Sequence, residues 1–196
     1  MKQAKYLISL MFVTGCTTAP THFGNGSYEN AGYEKPEHMT DAFNEYDTKG
    51  LLEGALKSIE TCRDSKFRLE TVMLGRLDNQ TAEPIDIEML NRELVDALSK
   101  RDYPMIDKTS RPDLFAEYEY NDTGLVDPTK AAVRGKQDGV KIMLRAVISS
   151  RVQQNKDEKV VRYRMSLQAV NLETARVLCT GEHELKKRYE RVYAGF

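Results

Sequence analysis

The sequence predicts an α/β fold: one mixed, mainly antiparallel sheet flanked by helices, preceded by a cleaved signal peptide and a flexible tether. Three features carry that expectation. Ile87, Leu90, Leu94, Ala97 and Leu98 recur at the spacing of one helix face. Val161, Tyr163, Met165, Leu167 and Ala169 alternate with Arg162, Arg164, Ser166 and Gln168, the period of a half-buried strand. Polar turns at 155–159 and 171–175 bracket that strand, so three antiparallel strands follow one another through short connections.

Taken in order, Asp47-Thr48 is read as the cap of a first helix, whose apolar stripe is Leu51, Leu52, Ala55, Leu56 and Ile59. A strand is expected over 67–75, ending at a polar loop, Asp78-Asn79-Gln80-Thr81. Asp86 opens the second helix, and a short strand over 103–107 completes a β-α-β unit. Ser110-Arg111-Pro112-Asp113 reads as a helix start, with proline in the first turn, carrying Leu114, Phe115 and Tyr118. Asp127-Pro128 is expected to start another helix, through Ala131, Ala132 and Val133, that stops at Gly139. Strands over 140–150, 161–169 and 176–186 finish the sheet, and the charged, aromatic stretch 187–196 is read as a loose tail. The domain is bounded at about 41–190, with 191–196 beyond it.

The amino terminus has a different character. Residues 1–5 carry two lysines, residues 6–13 are almost wholly apolar, and Thr14-Gly15-Cys16 follows. A basic segment, a short apolar run and small residues before a cut describe a secretory signal peptide over 1–15. The run is far shorter than the roughly 20 residues a spanning helix needs. Val13-Thr14-Gly15-Cys16 resembles a bacterial lipobox, which implies acylation of Cys16 and anchoring of the mature chain to a membrane through that lipid. Thr17 stands where a retention aspartate would be, so the expected location is the periplasmic side of the outer membrane. Residues 16–40, rich in Gly, Pro, Asn, Ser and Thr, read as a tether. Fully extended it spans roughly 80 Å.

Composition narrows the chemistry. Of 196 residues, 40% are hydrophobic and 30% charged, enough for one core, and the net charge is −1. No clustered basic footprint calls for nucleic acid. His22, His38 and His183 are scattered, so no metal site is expected. There is no G-x-S-x-G elbow, Walker loop or dinucleotide fingerprint. Cys179 and His183 stand about 13 Å apart along a strand, too far for a local thiol-base pair. Cys62 and Cys179 could pair in an oxidising compartment, but one pair makes no framework, and buried free thiols are the expectation for both. The chain is therefore read as a non-enzyme without cofactor, apart from the covalent lipid on Cys16.

Several stretches together resemble a known family. After the lipobox come a strand, Asp78-Asn79-Gln80-Thr81, then Ile85-Asp86 opening a helix, and Tyr103-Pro104-Met105-Ile106-Asp107. Gly124-Leu125-Val126-Asp127-Pro128, Gly139-Val140-Lys141-Ile142-Met143-Leu144 and Leu167-Gln168-Ala169-Val170-Asn171-Leu172-Glu173-Thr174-Ala175 follow. This order resembles the LpoB-type penicillin-binding protein activators, outer-membrane lipoproteins related to the TolB amino-terminal and CsgG-like folds. The resemblance implies a class A penicillin-binding protein, a peptidoglycan synthase, as partner and activation by docking. Gln80 stands where the family often has arginine, and the tether is short. The expected docking residues are Asp78, Asn79, Gln80 and Thr81, a polar loop on a rigid scaffold, followed by the strand cations Arg145, Arg162 and Arg164. The alternative expectation is a structural lipoprotein of an envelope assembly, a flagellar or secretion-pore component with the same fold.

Overall fold

The computed structural model describes residues 23–28 and 42–191. The leader over 1–15, Cys16, the rest of the tether and residues 192–196 lie outside the described residues. The elements are β1 (Phe23–Tyr28), α1 (Glu45–Lys66), β2 (Val72–Gln80), α2 (Ile87–Ser99), α3 (Arg111–Asn121), β3 (Ile142–Gln154), β4 (Glu158–Asn171) and β5 (Val177–Arg191). The strands form one mixed sheet in the order β1-β5-β4-β3-β2, antiparallel except for the parallel β2–β3 pair.

The long meander β3-β4-β5 forms because each strand alternates apolar and polar residues and each turn is tied by an asparagine. Asn155 Oδ1 accepts from the amides of Asp157 and Glu158, and Asn171 Oδ1 accepts from those of Glu173 and Thr174. Side chains used this way fold the backbone into a turn without glycine. On the inner face, Ile142, Leu144, Ala146 and Ile148 of β3 meet Met165, Leu167 and Ala169 of β4, all buried. Helix α1 covers β5 and β4 on this face, and α2 lies beside it over β2, with Leu90, Leu94 and Leu98 buried.

α1 and β5 run along one another in a seam fastened at both ends. At the helix start, Asn44 and Asp47 form a capping box: Asn44 Oδ1 accepts from Asp47 N at 3.2 Å, and Asp47 Oδ2 accepts from Asn44 N at 2.9 Å. The same Asp47 oxygen lies 2.8 Å from Lys187 Nζ, and both side chains are fully buried. Lys187 also donates to Ala42 O at 2.9 Å. At the far end, Cys62 is joined to Cys179 by a disulfide with a Cα–Cα distance of 6.1 Å. Between the ends the helix sits so close that a Cβ added at Gly181 would lie 2.6 Å from Ser58 Oγ and 2.9 Å from Ala55 O.

Several expectations are corrected by this geometry. The helix cap is Asn44, and Asp47 with Thr48 belongs to the first turn; the sequence offers two overlapping caps, and the one that also satisfies Lys187 is used. The first strand starts at Val72, since α1 runs on to Lys66 and 67–71 make the turn out of it. That strand continues through Asp78, Asn79 and Gln80, read as a loop, because their backbones pair with β3 up to Gln80 opposite Ser149. The expected strand at 103–107 is one bridge, Met105 against Val72. No helix follows Asp127-Pro128: Lys130 and Ala131 amides close one turn on Asp127 O, and Gly135 takes φ +76°. With Val133 65% exposed, no tertiary contact repays nucleation there. Cys62 and Cys179 are not free thiols. Stretch 187–191 is no tail but the end of β5, with Lys187 and Tyr189 buried. Residues 23–28, assigned to the tether, form β1 on the β5 edge.

Lys187→Met should strand the buried Asp47 carboxylate and cost about 3–5 kcal/mol, whereas Asp47→Leu with Lys187→Met should cost much less. Urea titrations of the two chains test this; equal losses would contradict it. Reducing the disulfide, which closes 117 residues, should lower stability by about 2–5 kcal/mol, read as a fall in Tm with added reductant that Cys62→Ala reproduces.

Candidate docking surface

The inner face of the sheet is closed by α1 and α2. Among the described residues no helix or strand packs on the outer face. The register lays its side chains out in rows. Gln80, Ser149, Arg164 and Glu184 line up across β2, β3, β4 and β5, and Asp78, Val147, Ser166 and Glu182 form the adjacent row. Arg145 stands with Gln168 and Thr180, and Arg151 with Arg162 and Lys186. The structure thus brings together five of the expected docking residues, Asp78, Gln80, Arg145, Arg162 and Arg164, from three strands.

Their electrostatics are unequal. Arg164 reaches Glu184 at 3.1 Å and Glu182 at 3.9 Å, and Arg162 lies 3.8 Å from Glu184 while donating to Gln153 Oε1 at 2.7 Å. Asp78 is paired with Arg76 at 2.7 Å. Arg145 and Arg151 are exposed and make no ion pair among the described residues. Arg151 and Arg162 face each other across the ladder, a like-charge pair that disfavours the isolated domain. A shallow depression of about 300 Å³ beside them is lined by Ser149, Ser150, Arg151, Arg162, Arg164 and Glu184. Arg151 escaped the sequence reading, although the alternation of Arg145, Val147 and Ser149 along β3 extends to it.

Asn79 and Thr81 take a different part. Asn79 Oδ1 accepts from Thr81 N at 2.8 Å and Thr81 Oγ1 at 2.7 Å, and Asn79 Nδ2 donates to Glu83 O at 2.9 Å. They shape the turn at the rim. Glu83 then ties this turn to the entry of the domain: its carboxylate accepts from Phe43 N at 2.6 Å and from the Tyr163 hydroxyl. Burial, and after it the Glu83 carboxylate, hold the Tyr163 phenol far above its ordinary range, so it stays a donor.

A second feature borders the rim. Among the described residues the outward edge of β2 is paired only at Val72, and beside it a groove of about 850 Å³ is lined by Arg76, Asp78, Asn79, Glu88, Arg92 and Lys108. From there the chain leaves as an arm over 107–140 containing α3. That helix buries no residue, and Phe115 is 67% exposed. The arm is closed on itself, with Arg134 donating to Tyr118 O and Gln137 to the Tyr118 hydroxyl.

Among the described residues no cluster of three His, Cys, Asp or Glu side chains could hold a metal, and no helix is long and apolar enough to cross a membrane. Cys179 is committed to its disulfide, and the His183 ring lies against Gly54 of α1.

A family model described as peptidoglycan-synthase activator LpoB matches residues 39–185. No curated protein sequence matches the chain. Among solved structures, the LpoB carboxy-terminal domain from Salmonella enterica is similar at a TM-score of 0.42 and 12% identity, covering 71% of this chain and 98% of that one. LpoB from E. coli, determined by NMR, is similar at 0.40 and 11%, over 94% and 88%. Lipoprotein GNA1162 from Neisseria meningitidis is similar at 0.38 and 12%, over 64% and 88%. The family assignment rests on the sequence match.

Glu83→Ala, which removes the acceptor shared by Phe43 and Tyr163, should cost about 1–3 kcal/mol. Arg164→Ala, losing only exposed ion pairs, should change stability by less than about 1 kcal/mol. Thermal denaturation of both variants checks the contrast between rim and face.

Proposed function

The chain belongs to the LpoB family of peptidoglycan-synthase activators, and from that premise we propose that it is an outer-membrane lipoprotein, held by acylated Cys16, that docks on and activates a class A penicillin-binding protein. The observation carrying this reading is the family match over 39–185. The outer face supports it physically: Arg145 and Arg151 are exposed and without ion pairs among the described residues, on β3, a strand paired on both sides, where an acidic partner surface would be steered in. Activation by docking needs no reactive group here. It needs a synthase whose active state binds this surface more tightly than its inactive state.

A structural role in an envelope assembly is the second reading, and β1 favours it. Its pairing with β5 brings the sheet within seven residues of Cys16, close to the anchoring bilayer.

The chain from residue 17 onward, added to purified cognate synthase, should raise glycan polymerisation. Arg145→Glu with Arg151→Glu should weaken binding by about 10-fold or more while leaving the Tm of the chain nearly unchanged. No stimulation by the unaltered chain would defeat the activator reading. Full stimulation by the charge-reversed chain would move the interface elsewhere.

A further inference from the structure

The strand β1 belongs to a stretch whose composition reads as linker, yet it pairs antiparallel with the last five residues of β5, from Phe23 opposite Arg191 to Tyr28 opposite Lys187. We propose that β1 is a releasable strap that sets how far the folded domain reaches from its anchor: docked on β5 it holds the domain close to the bilayer, and released it lets the domain travel. This rests on the reading of Cys16 as the anchor point.

Three observations bear on it. First, the acceptor edge does not need the strap. β5 is paired on its other side with β4 from Val177 to Glu190, and Lys187 is fixed from the inner face by Asp47 and Ala42 O. Undocking β1 therefore leaves a formed edge to which it returns. Second, the strap is built weakly. It has six residues, FGNGSY, two of them glycine, with a register break between Gly24 and Gly26 and, among the described residues, a neighbour on one side only. Glycine loses more backbone freedom on ordering than any other residue, and a bulge interrupts the ladder.

Third, the geometry of the chain turns docking into distance. With β1 in place, only residues 17–22 separate Cys16 from the sheet, a ceiling of about 25 Å at full extension. With β1 released, the stretch between anchor and domain becomes Cys16 to Phe43, where Glu83 takes the backbone amide. Its ceiling is then about 90 Å. One six-residue pairing thus changes the accessible radius nearly fourfold. A partner beyond the docked radius binds the released form alone and draws the population toward it.

The test uses the chain from Cys16, coupled through that thiol to a maleimide lipid in vesicles, so it does not depend on native acylation or on any synthase. Three forms are compared: the unaltered chain, a locked form with Ser27→Cys and Arg188→Cys (register partners, oxidised before coupling), and a released form with Gly24→Pro and Gly26→Pro. Energy transfer from a dye at Gln153 to a membrane dye reports distance. The locked form should show one short distance, the released form a broad longer one, and the unaltered chain both. Hydrogen exchange in the unaltered chain should run at least about 10-fold faster in β1 than in the β4–β5 ladder. A 20-residue Gly/Ser insertion after Thr21 in the locked form should restore the long distances. The inference is overturned if the unaltered chain matches the locked form with β1 exchanging only on global unfolding, or if it matches the released form. Failure to stimulate a synthase would touch the activator reading alone.

Discussion

Everything in this domain is arranged around one buried ion pair. Lys187 and Asp47 are both withdrawn from water and 2.8 Å apart, and neither charge is tolerable there without the other. The pair joins the first turn of α1 to the end of β5 and shares its lysine with the carbonyl of Ala42, where the chain enters the folded unit. At the other end of the helix, the Cys62–Cys179 disulfide closes the same seam. Helix and strand are clamped at both ends, and the absence of a side chain at Gly181 lets them touch in between. The inner sheet face is thereby committed to α1, and among the described residues the outer face carries no helix.

That division explains where polar residues go. On the inner face two buried polar groups have their partners supplied, Asp47 by Lys187 and Tyr163 by Glu83, while the buried Tyr103 hydroxyl makes no hydrogen bond among the described residues. On the outer face charges are paired across strands in part, as Arg164 with Glu184 and Glu182, and Arg145 and Arg151 stand exposed at separate points along β3. Glu83 links the two worlds, since one side chain holds the entry amide of Phe43 and the buried phenol, and its backbone holds the Asn79 turn at the rim. The rim and the entry point of the chain are thus tied together through one residue.

Much of the scaffold was legible from residues 86–98 and 161–169, because helical and strand periodicity are local signals and both segments use them without interruption. The candidate surface was partly legible for the same reason: alternation put Arg162 and Arg164 on one side of a strand before any partner strand was known. What alternation could not convey was the neighbour. That Arg164 lies in a row with Gln80 and Ser149, or that Arg151 faces Arg162, follows from register between strands remote in sequence. The misreadings share a cause. Asp78-Asn79-Gln80 looks like a loop, and its backbone is drafted into the ladder by β3; Asp127-Pro128 looks like a helix start, and no apolar surface meets it.

By itself, then, the sequence determined the α/β class, the capped helix at Asp86, the three-strand meander and its asparagine turns, since each depends on side chains within a few residues of one another. Only the tertiary structure decided that Asn44 is the cap of α1, that Cys62 meets Cys179, that Lys187 is buried rather than part of a loose end, and that residues 23–28 join the sheet. Each of those outcomes depends on a partner 117 to 168 residues away, and the burial or pairing energy that selects it exists only once the chain has folded.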